Sequence, residues 1–177
     1  MQLGGPPMAK TTLITRRQIL AGLGSAAMLQ YSPLFAADEN KMRGALMILS
    51  TPYTNEGSVD YEDLAKEVAF CAKCGVQGVV WPQNSSEQRY LSDEERIKGF
   101  ETIAKANRGT GMSLVFGVQA DDTDGMLRYA AAAEALNPDG MIAIPPTTAN
   151  SLGDVRQYYR ALCEITDKPV FVQTSGC

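Results

Sequence analysis

The chain has 177 residues, 45% of them apolar and 20% charged, which is enough apolar sequence for one domain with a buried core. Its formal net charge is −4, and no long basic run occurs, so nucleic acid is not expected as a partner, because phosphate binding needs clustered Lys and Arg. Histidine is absent, which excludes the commonest general base and metal ligand and any Ser-His or Cys-His nucleophile pair.

Residues 1–37 are predicted to be a twin-arginine export signal. The pair Arg16-Arg17 precedes an apolar run of small residues over 19–28, and Ala36-Ala37 follows. A basic start, an apolar middle and small residues at the end are typical of a signal peptide. A permanent membrane span over residues 19–37 is the second choice, because this stretch has only 19 residues and contains two glycines, a glutamine and a proline. We expect an exported, periplasmic or secreted domain over residues 38–177, with membrane contact only through the signal.

Apolar strands and amphipathic helices alternate regularly from residue 43 onward. The predicted strands are residues 45–49, 78–81, 113–117, 140–144 and 170–173, and the predicted helices are residues 60–74, 93–106, 122–136 and 152–165. Continuous apolar strands alternating with helices predict βα units on a parallel sheet that is buried on both faces.

Helix start signals support these elements. Residue types that cap helix N-termini stand ahead of all four helices, at Asp60, Ser92, Asp121 and Ser151. Ser92 with Glu95 forms a capping box, and Ser151 with Asp154 imitates one. Asp121, Asp122 and Asp124 could suggest a metal cluster, but their place at a helix start favours capping.

The Cys-x-x-Cys of Cys71 and Cys74 lies within a helical apolar pattern that includes Leu64, Val68 and Phe70. We interpret both thiols as small core residues rather than a redox pair, and no second cysteine pair or histidine completes a zinc site. Cys163 and Cys177 are also expected to be structural, although free thiols could pair in an oxidising compartment.

Four βα units and a fifth strand fit either an open doubly wound sheet or the first part of an eight-fold barrel. The first strand runs into Ser50-Thr51-Pro52-Tyr53, without a glycine-rich nucleotide-binding pattern, which favours the barrel. A (β/α)8 barrel usually takes about 250 residues. The sequence therefore predicts an α/β fold, a TIM barrel represented by about its first four βα units plus the fifth strand, with open edges at the first and fifth strands.

The loop after the second predicted strand is the best candidate for a binding site. The apolar residues 78–81 give way to Gln83, Asn84, Ser85, Ser86 and Glu87 before the next helix. In parallel α/β folds, ligands bind at the carboxyl ends of strands, where loop amides and hydroxyls converge.

Several short stretches resemble a known family in their order and spacing. They are Thr51-Pro52, Asn55-Glu56-Gly57, Val59-Asp60, Gly75-Val76-Gln77-Gly78, Ser85-Ser86-Glu87, Leu91-Ser92 and Pro145-Pro146. The resemblance is to the dihydrodipicolinate synthase / N-acetylneuraminate lyase family and covers residues 43–177. It implies a (β/α)8 barrel, commonly tetrameric, and a class I lyase or aldolase that holds pyruvate or a related 2-oxo acid as a Schiff base on lysine. We expect no cofactor and no metal.

The same resemblance assigns candidate site residues. The polar loop matches a family motif that binds the substrate carboxylate, so Ser85 is the best binding and relay hydroxyl, with Asn84, Ser86 and Thr51 as further substrate-binding candidates. The motif's glycines are missing here. Glu87 is read as a structural acceptor or rim charge and Trp81 as packing.

Two departures from the family concern the proton relay and the nucleophile. The relay tyrosine of the fifth strand falls on Gln173, and a second tyrosine falls on Pro146-Thr147, which leaves Thr147 as a substitute hydroxyl. Ser85, Thr147 and Gln173 are thus the candidate catalytic positions. The nucleophilic lysine belongs to a sixth strand beyond residue 177, so this chain alone is expected to be inactive.

Two functions fit these observations. In the first, the full protein is a lyase or aldolase acting on a 2-oxo acid, with its lysine downstream and a relay rebuilt from Ser85, Thr147 or water. In the second, it is a non-catalytic binder of a small carboxylate or sugar acid in the periplasm. The missing tyrosines favour the second function, and the intact scaffold with its polar loop favours the first.

Overall fold

A computed structural model describes residues 42–174, so the predicted export signal and Cys177 lie outside the described residues. Within residues 42–174, no helix is both long enough and apolar enough to cross a membrane. All nine predicted strands and helices are present, with ends that shift by at most two residues.

The structure alternates five strands with four helices. The strands are β1 (Leu46–Ile48), β2 (Gly78–Trp81), β3 (Ser113–Gly117), β4 (Gly140–Ala143) and β5 (Val170–Val172). The helices are α1 (Tyr61–Lys73), α2 (Asp93–Asn107), α3 (Thr123–Glu134) and α4 (Leu152–Ile165). Two 3-10 turns, Asn84–Ser86 and Gln88–Tyr90, lie between β2 and α2 and were not predicted.

The five strands form one parallel sheet in the order β1-β2-β3-β4-β5. Each strand pairs with the next in the chain, in registers such as Leu46 with Gly78 and Val80 with Val115. A doubly wound sheet reverses its strand order at a switch point, and no reversal occurs here. The predicted partial barrel is therefore confirmed.

Capping side chains set the helix starts. Asp60 caps α1 by accepting from the backbone N–H groups of Glu62 and Asp63, and the predicted capping boxes at Ser92 and Ser151 are both present. The prediction of Asp121 as a cap was wrong by one residue. Asp122 is the N-cap of α3, because its carboxylate accepts from the N–H of Gly125 at 2.7 Å.

The core lies between the sheet and the helices, which supply Leu64, Val68, Ile103 and other fully buried side chains. Its centre is aromatic: Trp81 contacts Phe100 edge-on at 6.0 Å between ring centroids, and Phe100 lies 4.5 Å from Phe116. Trp81 is 0% exposed, which confirms its interpretation as a packing residue.

The first and last strands are less covered than the three between them. Met47 and Ile48 of β1 are 48% and 38% exposed, and Val172 of β5 is 58% exposed, whereas every residue of β2 is buried. Within the described residues, β1 and β5 each have only one neighbouring strand, as predicted.

Part of the predicted core pattern of α1 was wrong. Cys71 is buried, but Phe70 is 65% exposed and Cys74 is exposed, as is Cys163 on α4. Phe70 is adjacent to Cys71 in sequence, and neighbouring residues on a helix point in different directions, so only one of them can face the core. Cys74 caps the end of the helix, where the chain leaves the core.

Candidate active site

A polar loop, residues 82–91, connects β2 to α2 at the carboxyl end of the sheet. It contains the two 3-10 turns, with Glu87 between them in the left-handed region at φ 55°. This conformation is unfavourable for a residue other than glycine, so the surrounding hydrogen bonds must hold it. Glu87 itself is exposed, which agrees with its interpretation as a charge at the rim of the site.

Ser86 holds the polar loop against the end of β1. Its side chain is 0% exposed, and its hydroxyl donates to the carbonyl of Leu49 at 2.5 Å and accepts from the N–H of Gln83 at 3.0 Å. The single hydroxyl proton is therefore committed to the protein. The predicted substrate-binding role of Ser86 would require this bond to break.

Thr51 ties the same loop to Trp81. Its hydroxyl donates to the carbonyl of Ser86 at 2.6 Å and accepts from the indole N–H of Trp81 at 3.0 Å. The side chain is 8% exposed, so these bonds are protected from water. Thr51 lies at the predicted end of β1, but its hydroxyl proton already has a partner within the protein.

Asn84 and Ser85 are exposed residues of the first 3-10 turn of the loop. Both side chains are exposed at the carboxyl end of β2, in the turn that Ser86 anchors. Their position fits the predicted role of amide and hydroxyl donors for a carboxylate, and that role stays a prediction.

A cavity of about 810 Å³ opens beside the polar loop, at the carboxyl ends of β2, β3 and β4. Its walls include Asn84, Arg89, Arg96, Gln119, Asp121, Arg128, Tyr129 and Thr147. The cavity brings together two predicted residues, Asn84 and Thr147, whereas Thr51, Ser85, Ser86 and Gln173 do not line it. Its wall is polar and carries both signs of charge, because Asp121 and Asp122 line it together with three arginines.

Thr147 is bonded to the loop that follows β3. Its hydroxyl donates to the carboxylate of Asp121 at 2.8 Å, and the neighbouring Thr148 hydroxyl donates to the Asp121 carbonyl at 2.6 Å. A hydroxyl that donates to a carboxylate has a proton acceptor within reach, which is one requirement of a relay. Thr147 is exposed at the cavity wall, and its predicted role in a proton relay stays a prediction.

Gln173 directly follows β5, at the predicted carboxyl end of the strand. Its backbone N–H donates to the carbonyl of Ala143 at 3.0 Å, which extends the pairing with β4. Its side-chain oxygen Oε1 is buried and has no hydrogen-bond partner among the described residues. The carboxamide can therefore accept a hydrogen bond, but an amide cannot exchange a proton as a phenol does.

Two buried glutamines, Gln83 and Gln119, are bonded to each other beneath the polar loop. The Gln83 amide donates to Gln119 Oε1 at 2.9 Å, and the Gln119 amide donates to the Pro82 carbonyl at 2.9 Å. The Gln83 side chain is 0% exposed and occupies the interior beneath the loop. The sequence shows that the glycines of the family motif are missing, but it does not reveal this glutamine pair, because nothing in the local pattern shows that Gln83 points inward.

Arg96 is a second residue that the sequence analysis missed. It is 2% exposed, donates to the carbonyl of Gly117 at 2.8 Å and lies 4.0 Å from the centroid of the Tyr129 ring. Burial lowers the pKa of its guanidinium, although Tyr129 counteracts this effect. Helical spacing offered a signal, since Arg96 is four residues before the buried Phe100 on the same face of α2.

Tyr129 continues this network to Asp93 at the start of α2. Its hydroxyl donates to the Asp93 carboxylate at 2.5 Å, and Arg128 lies 3.5 Å from the same carboxylate. Burial raises the pKa of Tyr129, and its hydrogen bond to Asp93 raises it further. The phenol is therefore held in its protonated form, as a donor at the cavity wall.

Within the described residues, no lysine lies in the polar loop or lines the cavity. Lys66 bonds Glu62 and Asp63 on the exposed side of α1, and these bonds raise its pKa, whereas a Schiff-base lysine needs a lowered one. Lys98 lies 4.2 Å from the centroid of the Tyr61 ring, and Lys168, which precedes β5, donates to Asn137.

A family model and several known proteins match this chain. The family model described as "Dihydrodipicolinate synthetase family" matches residues 41–174. The 4-hydroxy-tetrahydrodipicolinate synthase of Laribacter hongkongensis is 26% identical over 132 residues, which are 74% of this chain and 45% of that protein. An uncharacterized DapA-like lyase of Chloroflexus aurantiacus is 31% identical over 125 residues, which are 69% of this chain and 41% of that protein.

Solved structures agree on the fold. The N-acetylneuraminate lyase of Mycoplasma synoviae superposes with a TM-score of 0.70 at 24% identity, over 76% of this chain and 47% of that one. The chain thus spans about half the length of the relatives and structures that it matches.

Proposed function

The chain belongs to the dihydrodipicolinate synthetase family, and from that premise we propose that the full protein is a lyase or aldolase acting on pyruvate or a related 2-oxo acid. The reaction would hold the substrate as a Schiff base on a lysine. The observation that carries this proposal is the exposed pair Asn84 and Ser85, presented by an anchored turn at the carboxyl end of β2. Amide and hydroxyl donors there suit the carboxylate of a 2-oxo acid.

This chain supplies the binding half of such a site. The buried bonds of Ser86 and Thr51 fix the turn, so that Ser85 needs little reorganisation when a carboxylate arrives. The nucleophilic lysine would come from sequence beyond residue 177. Its unprotonated amine would attack the carbonyl carbon, and the carbonyl oxygen would then leave as water with the two amine protons, so that a carbon–nitrogen double bond replaces the carbonyl.

Proton transfer in the proposed reaction cannot use a tyrosine at the end of β5, where Gln173 stands. Thr147, whose hydroxyl donates to Asp121 at 2.8 Å, is the substitute that we propose. The Asp121 carboxylate would take the proton that Thr147 passes on. Gln173 would contribute its buried amide oxygen as an acceptor for a substrate hydroxyl or for the protonated imine.

Borohydride trapping of the full-length protein with pyruvate tests this function. Reduction of a Schiff base should add the mass of one reduced pyruvate, mapped by peptide mass spectrometry to a lysine beyond residue 177. Omission of borohydride is the control. Absence of an adduct from folded protein at saturating pyruvate would contradict the lyase proposal and favour the non-catalytic binder of a small carboxylate or sugar acid, which calorimetry would then detect.

We propose that residues 1–37 direct export through their arginine pair, and that the full-length protein is a homo-oligomer, a tetramer by resemblance to its family. Cell fractionation with an Arg16→Lys, Arg17→Lys variant tests export, since loss of the pair should retain the protein in the cytoplasm. Light scattering of the purified full-length protein tests the tetramer.

A further inference from the structure

Two cysteines share the last turn of α1, and the proposed function uses neither. Cys71 is 4% exposed and belongs to the core, whereas Cys74 is exposed and is the C-cap residue of the helix. Helical residues three apart have Cβ atoms about 5–6 Å apart. Disulfide-bonded cysteines have Cβ atoms about 3.5–4.5 Å apart, so this pair needs an approach of about 1–2 Å.

The end of α1 can supply that approach. The N–H of Cys74 makes the last α-helical bond, to the carbonyl of Phe70 at 3.0 Å, and the chain then turns at Gly75 with φ 74°. Movement of Cys74 would disturb this bond and the two bonds that close the turn, from the N–H of Gly75 to the carbonyl of Ala72 and from the N–H of Val76 to the carbonyl of Cys71, both at 3.1 Å, but no bond further back in the helix. Cys71 cannot move as freely, because its side chain is packed in the core and its carbonyl accepts from the N–H of Val76 at 3.1 Å.

We propose that Cys71 and Cys74 form an intrahelical disulfide when the protein meets a disulfide oxidant. The thiolate of the exposed Cys74 attacks the oxidant and releases one of its sulfurs as a thiol. Cys71 then attacks the Cys74 sulfur of this mixed disulfide and releases the second oxidant thiol. Two protein thiols are oxidised to one disulfide, the oxidant disulfide is reduced to two thiols, and the two thiol protons pass to them.

The surroundings differ from those of a catalytic redox pair. Burial raises the pKa of the Cys71 thiol, and the nearby Glu67 and Cys74 raise it further. The pair also sits at the negative, C-terminal end of a helix dipole. Catalytic Cys-x-x-Cys pairs have lowered pKa values, commonly at helix N-termini. Formation should therefore be slow at neutral pH and faster in mild alkali.

Oxidised glutathione provides the test on the full 177-residue chain. Lys73 lies between the two cysteines, so trypsin separates them into peptides 67–73 and 74–89, which only a disulfide can join. We expect this linked pair in a non-reduced digest and its loss after reduction. Glutathione retained on Cys74 with an unlinked peptide 67–73, or Cys74 joined to Cys163 or Cys177, would overturn the proposal.

Three substitutions test the order of attack. Cys71→Ser should trap glutathione on Cys74 as a stable adduct in the intact mass, whereas Cys74→Ser should leave Cys71 as a free thiol. Cys163→Ser, at an exposed position of α4, is the control and should leave the linked peptides unchanged. Equal glutathione uptake by the Cys71→Ser and Cys74→Ser chains would contradict the assigned roles. The wild-type digest decides whether the disulfide forms even if a variant fails to fold.

Discussion

The Thr51 hydroxyl accepts a hydrogen bond from the indole N–H of Trp81 at 3.0 Å, and both side chains are buried. The same hydroxyl donates to the carbonyl of Ser86 at 2.6 Å. One side chain therefore links the end of β1, the end of β2 and the anchored turn of the polar loop. This makes Thr51 a positioning residue for the loop that presents Asn84 and Ser85.

Replacement of Thr51 by valine should lower the free energy of unfolding by about 1–3 kcal/mol, because it leaves a buried indole N–H and a buried carbonyl without partners. Urea denaturation followed by tryptophan fluorescence measures this change directly, since Trp81 is the chain's one tryptophan. Thr51→Ser keeps the hydroxyl and should lose less than Thr51→Val. A Thr51→Val chain as stable as the wild type would show that the two hydrogen bonds do not contribute.

Gly117→Ala should disrupt the sheet beneath the loop. A Cβ added at Gly117 would collide with the carbonyl oxygen of Pro82, which is backbone and cannot rotate away. Overpacking of this kind typically costs about 1–3 kcal/mol, and more where the neighbour cannot move. The measurement is the thermal midpoint of the far-UV circular dichroism signal. A midpoint equal to that of the wild type would mean that the polar loop is not held against β3.

Arg96→Met should destabilise the protein far more than Arg128→Met. Arg96 is buried and donates to the carbonyl of Gly117, so its removal should cost about 2–3 kcal/mol. Arg128 has a side chain 62% exposed and lies 3.5 Å from Asp93, an arrangement that usually contributes less than about 1 kcal/mol. Chemical denaturation of both variants provides the comparison. Similar losses would contradict the structural role assigned to Arg96.

Glu67 should make stability depend on pH. Burial raises its pKa above the ordinary value of 4.5, despite a hydrogen bond from the N–H of Ser50. At a pH between the unfolded and the folded pKa of Glu67, the folded chain binds more protons than the unfolded chain does. The free energy of unfolding therefore falls as the pH rises from about 4.5. Glu67→Gln keeps the acceptor for Ser50 and removes the charge.

The Glu67→Gln variant should therefore gain stability relative to the wild type as the pH rises from 4 to 7. Urea midpoints at several pH values across this range measure the difference. Glu101→Gln, at an exposed position of α2, is the matched control for the loss of one negative charge. A Glu67→Gln difference that is constant with pH would contradict the raised pKa.

The fold could be predicted because its signals are local. Apolar runs of four or five residues and caps such as Asp60 and Ser92 depend only on neighbouring sequence, and the structure confirms them. The open-sheet alternative was excluded by strand order, which no local pattern contains. The exposure of Phe70 and Cys74 shows the limit of helical spacing near a helix end, where the chain turns away from the core.

The site was only partly predictable. The family resemblance identified the polar loop and ranked Ser85 first, but it kept Ser86 as a binding candidate, because nothing in the local sequence shows which of the two hydroxyls is buried. The difference arises from the 3-10 turn, which directs Ser86 to the carbonyl of Leu49, 37 residues away in sequence, and leaves Ser85 exposed. Gln119 likewise bonds to the loop at Pro82, and Arg96 bonds to the end of β3 at Gly117, through contacts between residues distant in sequence.

The two serines therefore offer a matched pair of substitutions with opposite expected results. Ser86→Ala removes the donor to the Leu49 carbonyl and the acceptor for the Gln83 N–H, both buried, and should lower the free energy of unfolding by about 1–3 kcal/mol. Ser85→Ala should change stability by less than about 0.5 kcal/mol, as at other exposed positions. In the full-length protein, Ser85→Ala should instead raise the pyruvate concentration needed for half-maximal borohydride trapping.

Urea denaturation of this chain and trapping on the full-length protein together separate the two roles. Loss of one hydrogen bond to a carboxylate corresponds to about 1.5–3 kcal/mol, or roughly a tenfold to hundredfold rise in that concentration for Ser85→Ala. A destabilised Ser85→Ala chain would mean that Ser85 is structural. A stable variant with unchanged trapping would transfer the carboxylate-binding role to Asn84, because that residue shares the exposed turn and also lines the cavity.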